Sequence, residues 1–370
     1  MKFSILQQDF LPPLQTASRS IGIRSTLPVL DNVLLEAVGK KLKIAATNLE
    51  LGVIKLLSAD VLEEGQITVP AKTLLEIISS LGQNKIEVES TLENLTITCG
   101  KFQAQINGIP AQEFPAIPLS EEGGIKLTKD SLLSCGQILF AAAVDEGRPV
   151  LTGVLTEVRG GILNFVATDG FRLAHRMVQL ESGKSKDAEG FRNLIPKRTF
   201  EEILRILAEE DVEDISIVSS LSQNQIIFRL DQTTVSSRLI EGQFPAWEKI
   251  IPQKYICRVI ADREEFLKAI KLASVFAKNE ANILVLQIKK DSLAFSSSAK
   301  ELGSQQNEIE AQIEGEELEI AFNAKFLQDI ASSNTSSQLM LELSGPLSAT
   351  LIKPVGLDGL EYIIMPVRLS

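Results

Sequence analysis

The chain has 370 residues, 44% hydrophobic and 23% charged, with a formal charge of −11, one histidine and three cysteines. That length implies two or three domains with ample core; no apolar run approaches the roughly 18 residues a membrane helix needs; and Cys99, Cys135 and Cys257, far apart and without a CxxC pair, argue against a disulfide framework or a zinc site and fit a reducing compartment. The net charge argues against gripping nucleic acid by bulk electrostatics, although it does not describe any single concave surface.

The predicted elements, in chain order, form a pattern that recurs. "MKFSILQQDF" carries no signal-peptide apolar core, so a cytoplasmic protein is the expectation, and "KFSILQQDFLPPL" reads as a short strand and a helix. "PVLDNVLLEA" from Pro28 and "LKIAATNLELG" (42–52) follow, then a helix in "VPAKTLLEII" from Val69. The same sequence of events starts again at "IKLTKDSLLSCGQIL", with "PVLTGVLTEV" from Pro149, "LNFVATDGFRL" (163–173) and "IPKRTFEEIL" from Ile195. A third round opens at "RVIADREEFLKAI", where Phe266, Ile270 and Ala273 make a core stripe with Lys268 and Lys271 off it. It continues through "LAFSSSAKELG" (293–303) to "AFNAKFLQDI" from Ala321. The three second helices begin 126 residues apart and align Leu74 with Phe200 and Phe326, and Ile78 with Leu204 and Ile330. The expectation is an α+β fold of three tandem domains, 1–120, 121–252 and 253–370, with "LSEEGG" (119–124) and "QKY" (253–255) as linkers. Acidic stretches at 208–215 and 308–320 read as a solvated outer face.

The stretch "FVATDGFRLAH" (165–175) brings Asp169, Gly170, Arg172 and the lone His175 together, as a catalytic loop would. The repeats argue otherwise, because the strand–turn–strand persists in copies that lack Gly170 and His175. Asp169 supplies Asx-turn chemistry and Gly170 a positive φ, and His175 reads as a surface or packing residue. There is no second histidine for a two-His metal site or a relay. GxxxxGK[ST], GxGxxG after a strand, GxSxG and HExxH are all missing. No cofactor, metal or catalytic residue is expected; Gly160-Gly161 reads as a hairpin turn. A hydrolase using Asp169 and His175, and a repeat-built scaffold binding peptides but not DNA, are the competing readings.

The triplicated layout, with "RSTLPVLDNVLL" (24–35), "ATDGFRLA" (167–174), "EGQFPAW" (241–247) and the final "YIIMPVRL" (362–369), resembles the bacterial sliding clamp family, the beta subunits of DNA polymerase III. The similarity runs from Met1 to Leu369, and "ATDGxRLA" combined with a C-terminal "MPxRL" is its most specific part. The resemblance implies three clamp domains per chain, with a head-to-tail homodimer closing six domains into a ring around duplex DNA and helices lining the hole. It also implies a non-catalytic processivity role that tethers the replicative polymerase. The implied partners are duplex DNA without sequence readout, the DNA polymerase III alpha subunit, an ATP-driven clamp loader, other polymerases and repair proteins through short linear peptides, and a second copy of the chain, but no membrane.

Matched motif to motif, the peptide pocket would comprise Leu151, Thr168, Gly170, Arg172, Leu173, Pro245, Lys249, Ile250, Phe326, Ile363, Met365, Pro366, Val367 and Arg368. Lys249 stands where relatives commonly have arginine. Candidate DNA-facing residues are Arg24, Lys72, Arg148, Lys197, Arg198 and Arg205, with Glu202 on the helix face of Arg205. The dimer contact would set Val275 and Phe276 against the strand around Phe102, Ala104 and Ile106 of the other subunit. A ring that holds DNA by enclosure needs little phosphate neutralisation, so the acidic net charge is compatible with that task.

Overall fold

The computed structural model describes residues 1–22, 27–119, 124–145, 147–180, 190–213, 215–220, 224–278 and 281–368. Among the described residues, the helices are α1 (Gln7–Ser18), α2 (Ala71–Ser80), α3 (Lys129–Cys135), α4 (Lys197–Glu209), α5 (Arg263–Ala277) and α6 (Ala324–Ser332). They accompany antiparallel sheets of five, eight and twelve strands. The chain divides into two compact units, Met1–Lys129 with Glu201–Leu239, and Asp130–Phe200 with Ile240–Ser370.

In the first unit, α1 buries Phe10, Leu14 and Ala17, spaced i, i+4, i+7, despite Pro12 and Pro13 in its first turns. Phe10 meets Phe3 of strand Lys2–Leu6 edge-to-face at 6.2 Å, in a core shared with Leu74 and Ile78 of α2. The eight-stranded sheet continues from the first repeat into the second because Leu51–Ser58 pairs with Thr233–Arg238, Leu51 opposite Ser237 and Lys55 opposite Thr233. Burying Lys55 there is tolerated because its Nζ donates to Glu210 Oε2 at 2.6 Å and Thr233 Oγ1 at 2.5 Å. Arg19 ties α1 to α4, with a fork onto Glu209 (2.9 Å twice) and Nε on Glu202 at 2.7 Å.

In the second unit, Arg172–Gln179 pairs with Leu360–Ile364, which joins strands of the second and third repeats into the twelve-stranded sheet. The seam sets Leu173 opposite Ile363 and His175 opposite Glu361. Asp262 caps α5 by accepting from Glu264 N and Glu265 N, both at 2.9 Å. Phe266, Ile270 and Ala273 are buried as the periodicity predicts, while Lys268 and Lys271 are exposed. Gly160 and Gly161, with φ of 56° and 78°, make the hairpin between Gly153–Arg159 and Ile162–Thr168.

The register of the third repeat differs from the sequence alignment by one residue. The second helices start at Ala71, Lys197 and Ala324, so Leu327, and not Phe326, takes the place of Leu74 in the core. Core packing selects Leu327, and Phe326 is left half-buried beside it. Leu204 is likewise only half-buried, with Ile203 and Leu207 of α4 taking the core.

Candidate functional site

The turn at 168–172 is built by its own side chains. Thr168 Oγ1 donates to Arg172 O at 2.6 Å and accepts from Gly170 N at 3.0 Å. Asp169 Oδ1 accepts from Phe171 N (2.9 Å) and Arg172 N (3.0 Å), and Gly170 has φ +92°. The first repeat makes the same turn with Thr47 and Asn48: Thr47 Oγ1 accepts from Leu49 N at 3.0 Å, Asn48 Oδ1 from Leu51 N at 2.8 Å, and Leu49 has φ +75°. Asp169 is therefore a turn-former, and its carboxylate is fully engaged.

Arg172 turns this loop into a fixed wall. Its Nε donates to Asp169 Oδ2 (3.0 Å), Nη1 to Asp329 Oδ2 (2.6 Å) and Nη2 to Phe140 O (2.8 Å). Its guanidinium lies 4.3 Å from the Phe326 ring centroid and 5.1 Å from that of Phe140. Phe326 thus stands outside the helix core with its ring against Arg172. Phe140 and Asp329 were not singled out in the sequence, although Asp329 follows Phe326 by one helical turn.

The C-terminal segment seats on this wall. Met365 N donates to Phe171 O at 2.9 Å, and Val367 N to Ala321 O at 2.7 Å. Met365 is 41% exposed and Phe171, which the sequence reading passed over, 60%. Arg368 is exposed, while Pro366 and Val367 are half-buried. Trp247 opens the short 3-10 turn Trp247–Ile250 and packs with Phe244, Leu155, Val166, Leu173, Leu351 and Ile363 in one apolar cluster. That packing leaves Pro245, Lys249 and Ile250 facing solvent. Leu151, Thr168, Leu173 and Ile363 are buried and form support beneath the surface, so they are not exposed lining. The exposed set is apolar, with Lys249 and Arg368 as cations, and suits a short apolar peptide carrying a negative group.

A charged group braces the same turn. Arg159 contacts Glu248 at 2.5 Å and buried Glu157 at 2.9 Å, and Arg192 also pairs with Glu157. Burial opposes ionisation of Glu248, but hydrogen bonds from its own backbone and from Arg159 outweigh it and hold the carboxyl below its ordinary range.

Arg24 lies outside the described residues. Lys72 is exposed on α2, Arg198 exposed and Lys197 half-buried at the start of α4. Arg205 is exposed, 3.5 Å from Glu202. Arg148 joins the turn just described, its Nη2 donating to Asp169 O at 2.8 Å. Phe102–Asn107 is the last strand of the five-stranded sheet, hydrogen-bonded on one side only among the described residues. Its even-numbered side chains face the core: Phe102 is exposed at the strand's start, Ala104 half-buried and Ile106 buried at 5% exposure, packed with Leu95 and Ile97. Ile106 therefore offers no surface to a partner; what the edge offers is its backbone. On α5, Val275 is exposed and Phe276 half-buried. His175 is buried in the core and does not lie on the surface, which settles the alternative left open by the sequence. Its ring contacts Asn164 and Glu361, so it makes no pair with Asp169.

Comparison with known proteins gives one consistent result. Family models for the N-terminal, central and C-terminal domains of the DNA polymerase III beta subunit match residues 1–118, 127–246 and 248–368. The beta sliding clamp of Synechocystis sp. is 34% identical, with all of both chains covered. That of Pseudomonas aeruginosa is 31% identical over the same full span. Among solved structures, the DNA polymerase sliding clamp of Bacillus subtilis superposes over 100% of both chains with a TM-score of 0.94 at 27% identity. The DNA polymerase III beta subunit of Pseudomonas aeruginosa does so with a TM-score of 0.93 at 29% identity.

Proposed function

The chain belongs to the family of bacterial DNA polymerase III beta subunits, the beta sliding clamps, and from that premise we propose how its own residues carry the work. Its function is that of a non-catalytic sliding clamp serving replication processivity. We read 1–120, 121–252 and 253–370 as its three clamp domains, and two chains, head to tail, as closing six such domains around duplex DNA. Enclosure makes retention independent of tight phosphate contact, which suits a chain of charge −11. Lys72, Lys197, Arg198 and Arg205 are then weak, sequence-independent phosphate contacts. The free edge at Phe102–Asn107 and the exposed face of α5 at Val275 are the surfaces we assign to the dimer contact. The cytoplasm is the compartment in which it acts.

The partner site is the groove at the seam of the second and third repeats. The observation that carries this reading is the bond from Met365 N to Phe171 O, which sets two exposed apolar side chains side by side on a turn locked by Arg172. Pro245, Ile250 and Lys249 extend that surface. The groove would take short linear peptides from the polymerase alpha subunit, the clamp loader and repair proteins. The test titrates a fluorescent polymerase-tail peptide against the full chain and against a chain truncated after Ile364. Saturable binding near micromolar, about −8 kcal/mol, that truncation abolishes is the expected result. No binding by the full chain would remove the groove from the account.

A further inference from the structure

We infer that His175 is a positioning residue for the groove: it holds the indole of Trp247, and through it the turn that presents Lys249 and Ile250. This rests on the peptide-groove reading above. His175 is 3% exposed. Its Nε2 lies 2.9 Å from Asn164 Oδ1, and the Asn164 amide nitrogen donates to Ile162 O at 3.2 Å, so the amide oxygen faces the ring and Nε2 is the donor. Its Nδ1 lies 2.9 Å from Oε1 of Glu361, the residue directly opposite across the strand seam, and one proton held between those two atoms makes the second hydrogen bond. Held at both nitrogens, the ring is fixed in tilt as well as in place.

Against that fixed ring sits Trp247, ring centroids 4.3 Å apart and planes at 55°. Trp247 is 6% exposed, and its Nε1 is buried with no hydrogen-bond partner among the described residues. Packing therefore orients the indole, and the imidazole brings to that packing a ring held at both nitrogens. The neighbouring side-chain tie, Glu248 to Arg159, is half-exposed and of the kind worth little alone. Lys249 N donates to Ala246 O at 3.2 Å, which makes the turn short and stiff, so a rotation of the indole is passed directly to Lys249 and Ile250. An ordinary core histidine would affect stability only. A positioning residue affects peptide affinity in a protein that remains folded.

The chain has one tryptophan and one histidine, so intrinsic fluorescence reports this pair without an added probe. The test compares the full chain with His175→Gln, whose amide cannot satisfy both Asn164 and Glu361 and offers no ring. Tryptophan emission, thermal midpoint and affinity for a fluorescent polymerase-tail peptide are measured together, well below the midpoint. The expected result is changed Trp247 emission and at least about tenfold weaker peptide binding, with the added loss from Lys249→Ala smaller in the variant than in the parent. Affinity within about twofold of the parent, in a folded variant, overturns the inference. If His175→Gln does not fold, Trp247→Phe replaces it: the same weakening supports the clamp, and unchanged affinity overturns it. Absence of binding by the parent chain removes the groove reading itself, and the parent titration distinguishes that failure from this one.

Discussion

The backbone N–H of Met365 donates to the carbonyl oxygen of Phe171 at 2.9 Å. The first repeat holds its counterpart, Arg238 N to Glu50 O at 2.8 Å, beyond the same kind of strand seam and the same Thr-Asx turn. One backbone plan has therefore been given two surfaces. Where the second unit shows Phe171 and Met365, the first shows Glu50 and Arg238. Beneath them Leu173 and Ile363 become Gly52 and Ser236, and Ile117 fills the space a Cβ on Gly52 would need, at 2.9 Å. The apolar character of this surface is thus a property of its side chains, and the fold alone does not impose it.

Met365→Ala accordingly costs peptide affinity without disturbing the seam, since the bond to Phe171 uses the backbone. A loss of about 1–2 kcal/mol in binding is expected, with the oligomeric state by sedimentation unchanged. Dissociation into monomers would show that this side chain serves the interface.

Arg172→Ala removes the buried partner of an ion pair with the partly exposed Asp329 and takes the donors from Asp169 Oδ2 and the Phe140 carbonyl. Destabilisation of about 3 kcal/mol or more is expected by denaturant unfolding, together with loss of peptide binding. Arg172→Lys rescues little, because three donors in a planar fork are in use.

Gly170→Ala forces a side chain onto a residue at φ +92° and brings a Cβ to 2.9 Å from Arg148 Nη1. Arg148 is exposed and can swing aside, so backbone strain of about 1 kcal/mol dominates. The thermal midpoint falls by a few degrees, and Arg148→Ala in the same chain does not restore it.

Burial pushes the Tyr362 phenol up to about 12, partly offset by hydrogen bonds with Ser333 and Asn334. A raised acid contributes stability that is fully present below its unfolded value near 10 and lost as pH rises toward 12. Unfolding free energy should therefore fall across that window, and Tyr362→Phe should flatten the fall. An equal fall in the variant would assign the alkaline sensitivity elsewhere.

Much of this was legible in the sequence where the cause is local. Asp169 and Gly170 announce their turn because an Asx side chain and a positive φ need only neighbouring residues. The triplication showed because each copy repeats the same alternation of strand and helix. The one-residue register of α6 was not legible, since Phe326 and Leu327 are adjacent apolar residues and only packing decides between them. The burial of Ile106 depends on which face of its strand meets the core. The Arg172–Asp329 bond spans 157 positions, and no local pattern announces it. A lone histidine on a strand reads as a surface or a packing residue, and its burial against Trp247 depends on a seam formed between distant strands.

Retention by enclosure distinguishes a sliding ring from a protein that grips DNA through its phosphates. The decisive measurement loads the labelled protein onto nicked circular DNA with a clamp loader and ATP, raises the salt, and follows retention before and after a single cut linearises the circle. Retention on the circle at high salt and rapid loss on linearisation are expected, whatever the sequence of the DNA. Equal retention on both forms, or salt-driven release from the intact circle, would contradict enclosure.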